Sequence, residues 1–554
     1  HKNVILLEEK EDKVPLRPIA STGTGSDFIR GRVPLFNIGA GVSDIVAKED
    51  RQRIQNFVTF NEEYKPIEDC KGDEALWDEN CYEDASTPEE LFSKLANLNV
   101  DHMVIPHGNA WGIYTPLGQS WDKQLSEVKP EQDRQFLIEV MSGHGNSEEY
   151  RDFRTILIDQ DNNITCPLPT KDYEPSCWRA GKIVEDRCLV EGKNKESCSL
   201  LRQETSQQFA ESRMGERGEI VGNTKMEEWL NAGQCTDCFL PSYNYRPKSS
   251  VQYSLAKTDF SDPDNPKNYR WGFIAASDVH SARPGTGYKE VLRLKNTDGN
   301  GPSEPRVAVA LPGLSSNIEL ARFSSFLTTG GLAAVHSKDR TKQSIWDAMD
   351  NKETYGTSGD RILLWFDLLN GDNGKMPMGS ETSLNESPIF EVNAVGAFKQ
   401  NPGCPEFSLT SLDPDRLEKL CGGECYNPSD ERKIISRIEI IRILPQTTPN
   451  EDIGQLIQDP WKTLVCKPDE TGCTVQFQDD EFISLDREAV YYARAIQEAS
   501  DTINAGNLRC EYDEDGICIK VNPCYGDYKT SNTDDCLAPS EERAWSSPIF
   551  INQL

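Results

Sequence analysis

The sequence predicts an α/β fold in residues 1–361 and an all-β, sandwich-like region in residues 362–554. Three observations carry this prediction. Short apolar runs before residue 361 end in polar residues, as buried strands of parallel sheets do. A helix with a capping signature precedes one of these runs. From about residue 362, strand-like segments alternate with loops rich in Pro, Gly and Cys, and helical periodicity is sparse.

Composition limits the class of protein. A chain of 554 residues is long enough for two or more domains, because single cores stop growing near roughly 250–300 residues. The formal net charge of −32 repels nucleic acids, so we do not expect a nucleic-acid partner. A phosphorylated substrate would require cations in its site to offset this charge. The sequence lacks the run of roughly 18 apolar residues that a membrane-spanning helix needs, so no transmembrane segment is predicted.

The 17 cysteines predict disulfides and an extracytoplasmic location, periplasmic or secreted. Four pairs bracket short polar loops: Cys70/Cys81, Cys466/Cys473, Cys510/Cys518 and Cys524/Cys536. Cys235 and Cys238 form a CxxC, for which a disulfide is favoured over a redox or zinc half-site because no second CxxC exists. Since the total is odd, at least one cysteine is free or pairs outside this sequence.

The α/β elements begin after a polar, irregular insertion at about residues 8–86. Thr87, Pro88 and Glu90 form a capping box that starts a helix. The apolar run 102–106 follows as a short strand and delivers His107 at its C-terminal end. This helix-to-strand step belongs to a barrel or to a doubly wound sheet.

A second strand runs into the Gly-flanked loop 143–148. Backbone N–H groups and the side chains of Asn146 and Ser147 could approach an anion there, although an ordinary Gly-rich turn is an equally good interpretation. A polar, cysteine-rich insertion follows at about residues 150–270.

The apolar run 271–276 predicts a buried strand that leads into Asp278 and His280. Because side chains alternate along a strand, both should point the same way at its C-terminal end, where they could share a metal ion. The structural alternative is a hydrogen-bonded pair that caps the sheet. After residue 361, strands are predicted over 362–366, 389–397, 434–444, 490–496 and 548–551.

Six segments in this order resemble a bacterial branch of the PHP (polymerase and histidinol phosphatase) superfamily that is itself classed as a domain of unknown function. They are residues 105–109, 145–148, 272–280, 330–332, 353–359 and 543–549. The resemblance implies a distorted β/α barrel that binds two or three divalent metals (Zn, Mn or Fe) at its strand ends. It implies His1, His107, Asp278 and His280 as metal ligands, and it puts Asn109, Asn146, Ser147 and Arg361 around the substrate.

The chain also departs from this family pattern. The opening His-x-His strand, an Asp-His segment and a Glu ligand should all precede His1, so we expect a barrel that is incomplete at its N-terminus. His144 also differs from the residue expected at its position.

The function expected from these residues is metal-dependent hydrolysis of a small phosphate ester. Asp278 and His280 would act at the metals, and the guanidinium of Arg361 would clamp the phosphate. One alternative is a secreted binding or scaffold protein that keeps the fold without catalysis. Another is hydrolysis of a different bond with the same metals, because fold does not determine function. The sequence does not predict the oligomeric state.

Overall fold

In the computed structural model of the protein, the described residues fall into several stretches. They are residues 2–7, 17, 19–20, 69–71, 81–85, 87–98, 100–112, 115, 118–122, 134–212, 220–279, 299, 322–372, 374–524 and 537–554. Of the two predicted insertions, 8–86 therefore lies mostly outside the described residues, whereas 150–270 is described apart from residues 213–219.

Up to residue 279, the described elements are short strands interspersed with four α-helices. In chain order they are β1 Lys2–Leu7, β2 Ile19–Ala20, β3 Glu83–Asp84, α1 Pro88–Asn97, β4 Asp101–Pro106, β5 Leu137–Ser142, β6 Gly145–Asn146, β7 Leu157–Ile158, β8 Ile164–Thr165, α2 Ser176–Val190, α3 Lys195–Glu211, α4 Val251–Ala256, β9 Thr258–Asp259, β10 Lys267–Asn268 and β11 Gly272–Ala275.

From residue 322 onward the strands are longer and dominate. They continue as β12 Leu332–Val335, α5 Lys342–Asp350, β13 Thr354–Thr357, β14 Leu363–Gly371, β15 Gly374–Pro377, β16 Glu381–Leu384, β17 Ile389–Val395, β18 Phe398–Gln400, α6 Glu406–Ser411, α7 Pro414–Cys421, β19 Pro428–Arg432, β20 Ile435–Ile443, α8 Ile453–Leu456, β21 Ile457–Val465, β22 Cys473–Gln478, α9 Phe482–Leu485, β23 Ala489–Gln497, β24 Ser500–Ile503, β25 Glu511–Tyr512, β26 Cys518–Lys520, β27 Leu537–Ser540, β28 Arg543–Ser546 and β29 Ile549–Gln553.

A small sheet with the order β11-β5-β6 holds two of the strands that lead to the site, β5 and β11. β5 and β11 are parallel, with Leu137 opposite Gly272 and Met141 opposite Ala275. Every residue of β5 is buried, which explains its nearly continuous apolar sequence. β4 pairs antiparallel with β1 and packs beside β5 through Met103 and Ile105. The C-terminal ends of β4, β5 and β11 all lead into the site described below.

The largest sheet has eight strands, with β12-β13-β28-β23-β20-β21 as its main order and β29 and β16 attached beside β23. Its central strand β23 is buried at all of its positions. Strands from both sides of residue 361 belong to this one sheet, because β12 and β13 precede that residue. The proposed division of the chain at residue 361 stays a prediction.

A four-stranded sheet, β15-β14-β17-β22, packs against the large sheet. β14 and β17 bury alternate residues, as expected of strands with one face on a core. The ring centroid of Phe390 lies 4.8 Å from that of Tyr491 in β23, and Phe366 stacks on Phe390 at 5.4 Å. Aromatic contacts of this kind fill the space between the two sheets.

The predicted α/β fold with a β/α barrel is wrong for the part of the chain that the structure describes. Strands outnumber helices there, the sheets are mostly small, and none of them closes on itself. A β/α barrel needs successive parallel strands, whereas β4 pairs antiparallel with β1 and β12 pairs antiparallel with β13. The apolar patterns correctly predicted buried strands, but strand direction depends on pairing partners that are far away in the sequence.

Several local predictions are confirmed. Helix α1 begins after Thr87, whose hydroxyl accepts a hydrogen bond from the N–H of Glu90 at 3.2 Å. The five segments predicted as strands after residue 361 are β14, β17, β20, β23 and β29, with shifted ends. None of the described helices is long and apolar enough to cross a membrane.

Seven disulfides join cysteines within the described residues, which confirms that the cysteines form disulfides and includes the predicted pairs Cys70/Cys81, Cys235/Cys238, Cys466/Cys473 and Cys510/Cys518. The seven disulfides are Cys70–Cys81, Cys166–Cys177, Cys188–Cys198, Cys235–Cys238, Cys404–Cys425, Cys466–Cys473 and Cys510–Cys518. Of the predicted Cys524/Cys536 pair, Cys536 lies outside the described residues. This number of disulfides is consistent with an oxidising, extracytoplasmic environment.

Candidate metal centre

Three chain segments bring His107, His144 and Asp278 to one place. His107 directly follows β4, and His144 lies in the tight turn between β5 and β6. Asp278 lies three residues beyond the end of β11. One ligand atom from each of the three side chains lies within 4.8 Å of the others. The cluster therefore forms where the C-terminal ends of three neighbouring strands meet.

Asp278 reaches the cluster by a backbone turn and not by strand alternation. β11 ends at Ala275, earlier than predicted, and Asp278 adopts a left-handed conformation with φ of 52°. Aspartate tolerates this region better than most residues because its short polar side chain can hydrogen-bond locally. Strand alternation therefore does not position Asp278, and the predicted orientation of His280 beside it lies outside the described residues.

The segment 327–331 fixes the spacing between the two loops that carry His144 and Asp278. The N–H of Thr328 donates to the carbonyl oxygen of Gly143 at 2.9 Å, and the N–H of Gly331 donates to that of Ala276 at 2.8 Å. At Gly330, a side-chain Cβ would lie 2.6 Å from the carbonyl oxygen of Ser277 and 2.8 Å from the nitrogen of Gly143. Only glycine lets the backbone of this segment approach both loops so closely.

His107 lies between two carboxylates. Its Nδ1 is 2.9 Å from Oε1 and 3.1 Å from Oε2 of Glu139, and its Nε2 is 3.2 Å from Oδ2 of Asp278. Nδ1 of His144 also contacts Oδ2 of Asp278. The indole of Trp111 stacks on the His144 ring with centroids 4.0 Å apart, which holds that ring in place.

The charges in the cluster stabilise one another. Burial disfavours the charged imidazolium, but hydrogen bonds to Asp278 and Glu139 outweigh it and raise the pKa of His107 to about 10. Burial by itself would raise the pKa of Asp278, but hydrogen bonds to His107 and His144 lower it below its usual value. Asp278 is therefore a carboxylate at neutral pH.

The donor set fits a divalent cation. A divalent cation would displace the Nε2 proton of His107, while the Nδ1 proton stays on the side of Glu139; Nε2 of His107, Nδ1 of His144 and the Asp278 carboxylate are directed at one small space. Two imidazole nitrogens and a carboxylate are ligands that suit Zn, Mn and Fe. The Glu139 carboxylate behind His107 is the arrangement that orients histidine ligands in many metal sites.

Of the four predicted ligands, the structure brings His107 and Asp278 together. His1 and His280 lie outside the described residues, so their roles stay predictions. His144 was not in the predicted ligand set, although it lies in the Gly-flanked loop for which anion binding and an ordinary turn were both considered. Glu139 was also missed, and a detectable signal existed: it is a carboxylate in the middle of an otherwise apolar buried strand.

The residues predicted around the substrate occupy different settings. The buried amide nitrogen of Asn109 has no hydrogen-bond partner among the residues that the structure describes, and it lies two positions after His107. Oδ1 of Asn146 accepts from the N–H of Glu148 at 2.7 Å, so this side chain shapes its own turn. Ser147 is buried, and its backbone bonds to Val140 and Val251.

Arg361 occupies an exposed position two residues before β14. Its guanidinium stacks over the ring of Tyr426, with Cζ 4.3 Å from the centroid. This contact connects Arg361 to the cysteine-containing hairpin of β18 and β19. Its predicted role as a phosphate clamp stays a prediction.

Comparisons with known proteins give one partial match. Residues 256–384 match the model of a family described as "Protein of unknown function (DUF3604)". No curated protein and no solved structure matches the chain. The matched segment contains Asp278 and the 327–331 segment that packs against it, but not His107 or His144. The chain is therefore similar, over this segment, to a family whose activity is undefined.

Proposed function

We propose that this protein is a metal-dependent hydrolase of small phosphate esters outside the cytoplasm. The observation that carries the proposal is the buried convergence of His107, His144 and Asp278, backed by Glu139. The resemblance of six sequence segments to the PHP superfamily supports the same reaction class. The seven disulfides favour a periplasmic or secreted location over the cytoplasm.

Each residue of the cluster would have its own role in holding the metal. Nε2 of His107, Nδ1 of His144 and the carboxylate of Asp278 would hold a divalent metal, with Zn, Mn and Fe as candidates. When bound, such a metal acts as a Lewis acid that lowers the pKa of water and polarises phosphoryl oxygens. Glu139 would hold the proton on Nδ1 of His107, which keeps Nε2 available as a donor atom. His280 and His1 are further candidate ligands.

Neighbouring groups would bind the substrate. The amide nitrogen of Asn109 is a donor with no described partner, so it is suited to a phosphoryl oxygen. Trp111 covers one face of His144 and keeps solvent from that side. The net charge of −32 makes the metal the main source of attraction for an anionic substrate.

The test combines metal content and hydrolysis. Wild-type protein, Asp278→Asn and His144→Ala would be loaded with Mn²⁺ or Zn²⁺, desalted and measured by elemental analysis. They would then be assayed with p-nitrophenyl phosphate and bis-p-nitrophenyl phosphate. His336→Gln is the matched control, because Nε2 of His336 lies 2.8 Å from the carbonyl oxygen of Leu364 and serves the fold.

We expect the control to keep both metal and activity, and the two site variants to lose both. If Asp278→Asn keeps its full metal content, the assignment of the site is wrong. If the wild type binds metal but cleaves neither ester, hydrolysis of another bond replaces the phosphoesterase proposal. If it binds no metal, the non-catalytic scaffold becomes the better explanation.

A further inference from the structure

β18 and β19 form an antiparallel hairpin, and the long connection between them carries a cluster of three sulfur atoms. Cys404 and Cys425 form a disulfide, and the thiol of Cys421 lies beside it. Sγ of Cys421 is 3.3 Å from Sγ of Cys425 and 3.9 Å from Sγ of Cys404. Cys421 is half-buried at the C-terminal end of α7. A free thiol in contact with a disulfide has a reaction partner already in place.

We propose that these three cysteines form a thiol–disulfide exchange site with two alternative pairings. The Cys421 thiolate attacks Sγ of Cys425, a Cys421–Cys425 bond forms, the Cys404–Cys425 bond breaks, and Cys404 leaves as the thiolate. The proton lost from Cys421 is regained at Cys404. One disulfide and one thiol exist before and after, so the step requires no oxidant or reductant.

The local backbone permits the movement that the reaction needs. Sγ of Cys421 is close to both sulfur atoms of the disulfide and so lies beside it, and Cys421 has to rotate before it can attack Sγ of Cys425 along the disulfide axis. Gly422 and Gly423 follow directly, both in left-handed conformations with φ of 60° and 74°. Glycine adopts such conformations at little cost, and it leaves the end of α7 free to adjust.

The two pairings hold the hairpin differently. The Cys404–Cys425 bond closes a loop of sequence separation 21 that contains both α6 and α7. A Cys421–Cys425 bond would span a separation of four and would leave the α6 end of the loop without a covalent link. Phe407 and Leu409 on α6 are exposed, so little packing would replace the lost link. Exchange would therefore loosen α6 and α7.

The sequence allows the two pairings to be told apart directly. Glutamyl endopeptidase cuts after Glu406, Glu418, Glu424 and Glu431, which puts each of the three cysteines in a different peptide. Wild-type protein would be incubated at about pH 8, where thiolate is present, with no added thiol. Free thiols would then be trapped in acid with N-ethylmaleimide before digestion and mass spectrometry.

We expect the wild type to yield the Cys421–Cys425 peptide pair in addition to the Cys404–Cys425 pair. Cys404→Ser should contain the Cys421–Cys425 bond, and Cys421→Ser only the Cys404–Cys425 bond. Trypsin cleavage after Arg416 should be several-fold faster in Cys404→Ser than in Cys421→Ser. The proposal is overturned if the wild type yields only the Cys404–Cys425 pair and both remaining cysteines of Cys404→Ser are alkylated. Equal tryptic cleavage of the two variants would overturn the loosening of α6 and α7.

Discussion

Glu139 shows how a single buried residue can define the chemistry of its neighbour. It is 2% exposed within β5, and its carboxylate meets Nδ1 of His107. A buried carboxylate is costly unless it is paired, so the contact with His107 stabilises both side chains. The same contact selects the nitrogen of His107 that is available to a metal.

Changing Glu139→Gln should weaken metal binding by about 10–100-fold, because the neutral amide no longer holds the proton on Nδ1 of His107. Competition with a chromophoric chelator measures this change. Glu391→Gln is the control, since Glu391 lies on β17 and contacts Lys375 and Gln476. Unchanged metal affinity in Glu139→Gln would show that Glu139 does not orient His107.

The raised pKa of Glu149 predicts how the stability of the protein changes with pH. Burial raises the pKa of Glu149 to about 7, although Arg494 and Arg151 oppose the shift. Because the folded state holds this proton more tightly than the unfolded chain, ionisation destabilises the fold as pH rises from about 4.5 to 7. The wild type should therefore lose up to roughly 3 kcal/mol of unfolding free energy through Glu149 as the pH rises, and Glu149→Gln should not show this part of the loss.

Urea unfolding at about pH 5 and pH 8 measures the difference for the wild type and for the variant. Burial also raises the pKa of Glu542 to about 7, so part of the difference in stability between the two pH values should persist in Glu149→Gln. If stability changes equally with pH in the two proteins, Glu149 already ionises in the folded state at the pH at which it ionises in the unfolded chain.

At the scale of elements, the site depends on how the loops after β5 and β11 are spaced. The 327–331 segment bonds to both loops, and Gly330 packs directly against Ser277 and Gly143. The segment belongs to neither strand, so its role is set by packing and not by sequence proximity.

Gly330→Ala should displace one or both loops and lower metal affinity by an order of magnitude or more, because a 1 Å shift already disrupts a preorganised site. Gly374→Ala is a close control. Gly330 and Gly374 have φ of +80° and +86°, but a Cβ at Gly374 would meet nothing within 4 Å. Both variants should lose about 1 kcal/mol of stability from backbone strain. Metal titration should separate them, and equal affinities would contradict the spacing role of Gly330.

At the scale of the whole molecule, a buried charge network joins the site region to the large sheet. Arg494 of β23 bonds to Glu148 at 2.6 Å, to Glu439 at 2.8 Å and to Asp459 at 2.8 Å. Glu148 follows the loop that carries His144, and its carboxylate also accepts from Tyr492 at 2.6 Å and from the Trp545 indole. The carboxylates keep Arg494 charged despite its burial, and they raise its pKa further.

Arg494→Met should destabilise the protein by about 3–5 kcal/mol, because three acidic groups lose their buried partner. Lys399→Met on strand β18 is the control. Lys399 pairs with Glu431 at 3.4 Å on the surface, where such pairs contribute at most about 1 kcal/mol. Chemical denaturation measures both variants. Similar losses in the two would indicate that the network adds little to stability.

Local sequence signals were sufficient for some parts of this protein. The capping box at Thr87, the buried strands and the short-range cysteine pairs are properties of neighbouring residues, and the structure confirms them. His107 and Asp278 stood out in the sequence because both follow apolar runs, whereas the ligand role of His107 was implied only by the family resemblance; the structure brings the two side chains together.

Local patterns therefore predicted where buried strands form, several of the short-range cysteine pairs, and that His107 and Asp278 follow apolar runs. Strand directions, the positions of His144 and Glu139 beside His107 and Asp278, and the exposed position of Arg361 became evident only from the folded chain. The difference arises because local signals and tertiary contacts act over different distances along the chain. Propensity, capping and periodicity act within a few residues, whereas sheet pairing and side-chain convergence depend on contacts across more than a hundred residues, such as those between β5 and β11.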